Sequence, residues 1–220
     1  MNRETAKRLK AELKNSYQAI AGDFSSTREK PWPLFDELIS RIPKGSKVLD
    51  LGCGNGRLYG ALKSLEVDYT GVDFCSALLE IARRKYPQQH FVEQDITELE
   101  MDGHFDVVVS IAAFHHIPSR QMREEVLGKV FEALRDDGTL FLSVWDLWQI
   151  KYWRAFLKSF SRVLFQLLRH DPRDVFISFG KEKVPRYYHA FLPFELRGLL
   201  TQAGFTIQEH WRSGRNLVFV

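Results

Sequence analysis

Cysteine is scarce: the 220 residues hold two, Cys53 and Cys75. That is too few to staple a secreted fold or to build a Cys-rich zinc site, so a reducing, cytoplasmic setting is expected. Apolar runs are short; none approaches the roughly 18 residues of a membrane-spanning helix. The opening MNRETAKRLKAELK alternates charge with short apolar residues and lacks the roughly 7–15-residue apolar stretch of a signal peptide. Net charge is small as well, 31 Lys and Arg against 28 Asp and Glu giving +3, which decides nothing about nucleic acid as a partner. Repeats, low-complexity tracts and linkers are missing. With 45% of residues hydrophobic, a chain of this size buries roughly 70% of its unfolded surface, so one domain over residues 1–220 is the reading.

Charge is informative in its distribution. Between Leu147 and His189 stand nine basic residues (Lys151, Arg154, Lys158, Arg162, Arg169, Arg173, Lys181, Lys183, Arg186) against Asp171, Asp174 and Glu182, an excess of +6 that leaves −3 for the rest. From Lys151 to Arg169 the periodicity predicts a helix. Lys151, Arg154, Lys158, Arg162 and Arg169 fall within an arc of roughly 80° at about 100° per residue, while Trp153, Phe156, Phe160, Val163, Leu164 and Leu167 take the opposite side. Such a basic stripe is either a solvated surface face or a contact for a polyanion or an anionic membrane surface.

Elsewhere the apolar runs alternate in kind. KVLDL, DYTGVDF, HFVEQDI, FDVVVSIAA and GTLFLSVW read as buried strands, and Gly56 to Leu65, Ser76 to Lys85 and Ser119 to Leu134 as crossover helices between them. This β-α-β rhythm predicts an α/β fold, a doubly wound and mostly parallel sheet with helices on both faces. Asp136-Asp137-Gly138 marks a turn into the fifth strand. The chain then passes through the amphipathic segment and a polar stretch to a helix near Phe194 to Ala203. It ends in the strand-like runs FTIQEHW and NLVFV.

The run from Lys47 to Gly56, KVLDLGCGNG, carries a strand into a glycine cluster that opens a helix. Glycines suit a tight turn with positive φ whose amides approach a ligand without Cβ obstruction. The G-x-G-x-G spacing of Gly52, Gly54 and Gly56 departs from the G-x-G-x-x-G of dinucleotide sites, and Asp50 would sit poorly beside a pyrophosphate. A carboxylate there suits an ammonium or sulfonium group. Asp73 ends the second strand 17 residues past Gly56, where a carboxylate accepts from both ribose hydroxyls. Asp95 ends the third, where an acceptor meets an adenine amino group. Each Asp alone reads equally well as a helix cap. Three in succession on the ligand edge of the sheet point to S-adenosylmethionine.

These residues resemble the class I S-adenosylmethionine-dependent methyltransferases over Ser46 to Trp145. A narrower resemblance rests on Tyr17-x-x-Ile20-Ala21-x-x-Phe24-Ser25-x-Thr27-Arg28-x-x-Pro31-Trp32-Pro33, on Ser110-Ile111-Ala112-x-x-His115-His116, and on Arg186-Tyr187-Tyr188-His189-x-Phe191-x-x-x-Glu195-Leu196. These look like the tRNA wobble-uridine carboxymethyl methyltransferases, which esterify the carboxylate of 5-carboxymethyluridine and, in eukaryotes, work with a small zinc-binding activator subunit. The resemblance implies a seven-stranded sheet. It also implies four sections: N-terminal lid helices (1–45), a cofactor half (46–146), a basic helical insertion with a substrate-facing loop (147–190), and a C-terminal helix and strands (191–220). Cofactor contacts are expected from Tyr17, Trp32, Asp50, Gly52, Cys53, Gly54, Asn55, Gly56, Asp73, Phe74, Asp95, Ile96, Ser110, Ile111 and Ala112. The chain departs from the pattern at Leu217, where an Asn-Trp pair is usual, and shows no family motif between Leu147 and Pro185.

A carboxylate is ionised near neutral pH, so its methylation needs orientation and desolvation more than a general base. Arg28 and Arg186 are the candidates to hold it, because a guanidinium fork binds a carboxylate bidentately; a solvated surface arginine is the competing account for each. His116 joins them as a catalytic candidate on the cleft, with a hydrogen-bonded structural role as its alternative. Two adjacent histidines without a third ligand make no metal site. Tyr17, Phe24 and Trp32 are expected to form a lid, and Tyr187, Tyr188 and His189 to stack on or hydrogen-bond a splayed base, against core packing. Lys151, Arg154, Lys158 and Arg162 are the expected tRNA contacts. A small-molecule O- or C-methyltransferase and a non-catalytic cofactor-binding subunit remain as alternatives, separated from tRNA modification by the salt dependence of RNA binding and by turnover.

Overall fold

The computed structural model describes residues 1–28, 32–100, 104–165, 171–180 and 183–220, with backbone alone for 161–165. Two helices precede the sheet, α1 (Arg3–Ser26) and α2 (Pro33–Ile39). Asn2 caps α1 by accepting from the Thr5 amide at 2.8 Å, meeting one of the donors a helix start leaves over. The alternating core follows: β1 (Lys47–Leu51), α3 (Arg57–Leu62), β2 (Asp68–Asp73), α4 (Ser76–Lys85), β3 (His90–Glu93), β4 (Phe105–Ile111), α5 (Arg120–Ala133) and β5 (Leu134–Trp145). Then come α6 (Trp153–Phe165), β6 (Asp174–Phe179), β7 (Val184–His189), α7 (Pro193–Gln202), β8 (His210–Ser213) and β9 (Asn216–Phe219).

The seven-stranded sheet has the order β3-β2-β1-β4-β5-β9-β8. Its first five strands pair in parallel, and β9 runs antiparallel to both β5 and β8. Along β1, neighbouring residues serve opposite layers, as the period of two requires. Val48 joins α2, α3 and α4 through Leu38, Leu62 and Leu79. Leu49 faces α5 and α7 through Leu127 and Leu199. The strand order reverses beside β1, and ligands of open α/β sheets bind at that switch point, beyond the strands' carboxyl ends.

Four sequence expectations are corrected. The polar stretch before His189 is a hairpin: β6 and β7 form a separate two-stranded antiparallel sheet, because Val175 and Tyr188 bury a small core with Leu147 and the inner face of α6. Asp136-Asp137-Gly138 lies within β5, whose register on β4 shifts between Phe105 and Val107. Only the end of FTIQEHW is strand, since Phe205 and Ile207 pack instead against the α5 and α7 layer. The amphipathic helix divides its faces differently from the simple wheel. Tyr152, Ala155 and Phe156 pack inward, while Ile150, Trp153, Leu157 and Phe160 are exposed beside Lys151, Arg154 and Lys158. Arg162 is described by backbone alone, and Pro31, Arg169, Lys181 and Glu182 lie outside the described residues. Among the described residues no helix is long and apolar enough to cross a membrane.

Candidate active site

A cavity of about 680 Å³ opens at the switch point, walled by the loops after β1, β2, β3 and β4, by α1 and by the β6–β7 hairpin. Its floor is the glycine loop. The amides of Gly52 and Cys53 donate to the Val72 carbonyl at 2.8 and 3.0 Å, folding the loop back over β2. Gly52 has φ +81°, and a Cβ there would stand 2.3 Å from that of Ala113, so this position admits glycine alone.

Three carboxylates rim the floor. Asp50 is buried and accepts from the Tyr69 hydroxyl at 2.7 Å; burial, moderated by that bond and reinforced by Asp73, lifts its pKa to about 7. Asp73 accepts from the backbone amides of Cys75 at 2.8 Å and Gly54 at 2.9 Å, yet burial still raises it to about 6. Asp95 caps a turn through Thr97 and pairs with Lys10 of α1 at 3.0 Å. Asp50 and Asp73, buried at a desolvation cost inside one cavity, are the kind of groups that a cationic ligand would satisfy.

The opposite wall is basic and aromatic. Arg186 of β7 is 2% exposed. It donates to the Tyr17 hydroxyl at 3.2 Å, its Nε has no hydrogen-bond partner, and it pairs with no carboxylate among the described residues. Around it stand the rings of Phe179, Tyr188, Tyr17 and Trp145, at 4.7, 5.4, 5.5 and 5.9 Å. Arg28 lies 3.6 Å over Phe24 and binds the Phe24 carbonyl and the Thr27 hydroxyl; burial lowers its pKa to about 10, leaving it charged.

His116 ties this wall together. Its Nδ1 lies 2.7 Å from the Tyr187 carbonyl, which only accepts, so Nδ1 carries the proton and Nε2 is an acceptor. Nε2 accepts a hydrogen bond from the Tyr17 hydroxyl at 2.8 Å, leaving the Tyr17 oxygen to accept from Arg186. Burial, with the charge of Arg186, presses the His116 pKa down to about 3. Neutral and with both nitrogens engaged, it fits the hydrogen-bonded structural role that the sequence set beside a catalytic one.

Comparisons with known proteins agree with this geometry. A family model described as "Methyltransferase domain" matches residues 48–138. A putative methyltransferase of Encephalitozoon cuniculi is 30% identical over 207 residues, 93% of this chain and 91% of its own length. The chain belongs to the class I S-adenosylmethionine-dependent methyltransferases. A tRNA (carboxymethyluridine(34)-5-O)-methyltransferase of Schizosaccharomyces pombe is 29% identical over 88% of both chains. One of Macaca fascicularis is 37% identical over 66% of this chain, which spans 22% of that protein's length. Among solved structures, a Burkholderia thailandensis N-methyltransferase bound to S-adenosylhomocysteine superposes with TM-score 0.69 at 21% identity, covering 97% of this chain and 88% of that one. A Haloferax volcanii putative methyltransferase, in complex with the activator Trm112, does so with TM-score 0.64 at 19% identity, covering 92% and 80%. Both likenesses are of fold.

For a class I methyltransferase the cavity suits the cofactor: a glycine loop closed to a Cβ at Gly52 and two buried carboxylates, Asp50 and Asp73, line a cavity of about 680 Å³. Of the expected cofactor residues, Tyr17, Trp32, Asp50, Gly52, Cys53, Gly54, Asn55, Asp73, Phe74, Asp95, Ile96, Ile111 and Ala112 line it. Gly56 and Ser110 do not. Gly56 turns the chain at φ +73° against Tyr86, and Ser110 is buried within β4. Asn55 also donates to Ser25 at 2.8 Å, tying the loop to the end of α1.

Arg28 and Arg186 line the cavity as expected. Tyr187, Tyr188 and His189 do not: at 2%, 0% and 0% exposed they cannot stack on a base. They hold the hairpin from behind. Tyr187 and His189 each reach Asp174 at 2.7 Å, and His189 also reaches Glu195 at 3.0 Å. Tyr188 stacks on Trp145. Arg154 and Lys158 stand outside the cavity on α6, as does Lys151 in the turn before it, a turn that sends Tyr152 into the cavity wall. Sequence reasoning missed Lys10, Trp145, Tyr152, Phe179 and Asn216 as wall residues. Trp145 was foreseeable as the last residue of its strand; Lys10 and Phe179 depend on how α1 and the hairpin fold over the sheet, Tyr152 on the turn before α6 and Asn216 on the pairing of β9 with β5.

Proposed function

We propose that this methyltransferase esterifies the carboxylate of 5-carboxymethyluridine at a tRNA wobble position. The observation that carries the reading is Arg186, a guanidinium buried in the cavity wall and paired with no carboxylate among the described residues. Burying an unpaired charge is expensive, so it persists where a ligand supplies the partner. The relatives named for carboxymethyluridine methylation support the identity of that anion.

S-adenosylmethionine, when bound, supplies an electrophilic methyl group on a sulfonium centre. Asp50, Asp73 and Asp95, with the glycine loop, would hold it. The substrate carboxylate is already ionised near neutral pH, so no residue of the chain has to take a proton from it. The chain's task is to hold the carboxylate in line and exclude water. Arg186 and Arg28 hold the carboxylate, Tyr17 and His116 fix the Arg186 fork, and α1 covers the cavity as a lid. The basic stripe of α6 meets the RNA backbone beside the cavity mouth. A cytoplasmic setting and a small zinc-binding activator subunit belong to the same proposal.

The test is transfer of a labelled methyl group to an anticodon stem-loop carrying 5-carboxymethyluridine, alone and with a candidate activator. The expected product is the methyl ester, absent when plain uridine occupies the position. Equal labelling of plain uridine loops, or transfer only to free small carboxylic acids, would overturn it.

A further inference from the structure

We propose that Trp145 and Asn216 form a nucleobase subsite in which the Asn216 side-chain carbonyl accepts the imide N3–H of a uracil lying on Trp145. The proposal rests on the functional reading above and adds to it how the base itself is selected.

Asn216 opens β9 and pairs with Trp145, the last residue of β5. Both line the cavity, and Asn216 is 1% exposed. Its Nδ2 donates to the Ser213 carbonyl at 3.2 Å. A carbonyl only accepts, so this bond fixes which end of the amide faces Ser213 and leaves Oδ1 as the other. That Oδ1 is buried with no hydrogen-bond partner among the described residues. Buried side-chain acceptors are normally satisfied, and one left over in a cavity wall calls for a donor from a ligand or a water.

Trp145 supplies the flat surface. Tyr188 covers one side of it, with centroids 5.1 Å apart and planes inclined by 17°, and the indole remains half-buried. The Arg186 guanidinium stands 5.9 Å from the same ring. One end of the cavity therefore offers an aromatic platform, an unmet acceptor and an unpaired cation. A ligand answering all three is planar, with an N–H donor on one edge and an anionic arm on another. A uracil bearing a carboxymethyl group at C5 has this pattern. A cytosine does not, because its N3 carries a lone pair that would face Oδ1. Splayed bases in RNA loops are commonly read in this way, by stacking and by their Watson–Crick edges.

The experiment compares two synthetic anticodon stem-loops, one with 5-carboxymethyluridine and one with its N3-methyl derivative, under single-turnover conditions. The parent protein is expected to prefer the first by at least about 100-fold in kcat/KM, since a site built for a donor rejects the analogue lacking it. Asn216→Ala is expected to bring that ratio within about tenfold, losing rate on the first loop and gaining on the second, with cofactor affinity unchanged. Both loops are read on one protein preparation, so a loss of folded protein cancels from the ratio. Where Asn216→Ala yields no folded protein, Asn216→Ser is read in the same way. Parent activity on the N3-methyl loop within threefold of the other, or an unchanged ratio in the variant, would mean that Asn216 meets only water and would overturn the subsite. No transfer by the parent to either loop would overturn the functional reading itself.

Discussion

Replacing Asp50 by Asn should make the cofactor-free protein more stable and a worse binder of its cofactor. The Asp50 carboxyl has its pKa raised from the ordinary 3.8 to about 7, chiefly by burial. The folded state therefore keeps this proton to a higher pH than the unfolded chain does. Stability from this group is full below 3.8 and is lost as pH rises through about 7, to a total of about 4 kcal/mol at about 1.4 kcal/mol per tenfold. Asparagine carries no charge and still offers Tyr69 an acceptor, so above pH 7 the variant should gain roughly 2–4 kcal/mol, the lower figure allowing for burial of its own amide. For a chain of this length that is a rise in Tm of about 5–15 °C. Scanning calorimetry without cofactor, from pH 5 to pH 8.5, reads it directly. The gap between variant and parent should be widest at pH 8 and shrink steadily toward pH 5. A variant no more stable than the parent at pH 8, or a gap independent of pH, would refute the reasoning. Calorimetric titration of the same variant should show cofactor affinity reduced by about 1.5–3 kcal/mol, the range for bonds to a charged group.

Asp73→Ala should also weaken cofactor binding by about 1.5–3 kcal/mol; an unchanged dissociation constant would mean that Asp73 only pins the Gly54 and Cys75 amides. Changing Lys151, Arg154 and Lys158 together to Gln should weaken tRNA binding and lower the slope of log K against log salt by about 2 while sparing the cofactor. Parent-like binding by this variant would show the α6 stripe to be solvated only.

The cofactor half was legible because its signals are local. The strand runs are apolar on both faces, as buried parallel strands must be, and Ser76–Lys85 was read to the residue. Asp50 stands next to last in β1, Asp73 ends β2 and Asp95 follows β3, so their convergence follows from topology alone. The substrate wall was not legible in this way. Tyr187, Tyr188 and His189 sit next to Arg186 in sequence, yet the cavity receives Arg186 while the others pack behind it. The hairpin itself was missed because its core is shared with α6: Val175 and Tyr188 bury against Tyr152 and Phe156, partners that no local pattern reveals. Of the basic stripe, the described members Lys151, Arg154 and Lys158 are exposed as the wheel placed them, while the apolar face was drawn too broadly, since only part of it meets the hairpin.

The central claim is that a buried, otherwise unpaired arginine holds the substrate carboxylate in line with the methyl donor. Single-turnover methylation of a tRNA bearing 5-carboxymethyluridine by Arg186→Ala tests it most directly. The account predicts a loss of roughly 2–3 kcal/mol, about 30- to 150-fold in rate, with cofactor affinity near the parent value. It also predicts little recovery in Arg186→Lys, because an ammonium cannot reproduce the bidentate fork. A correctly folded Arg186→Ala reacting within about threefold of the parent would contradict it and pass the role to Arg28.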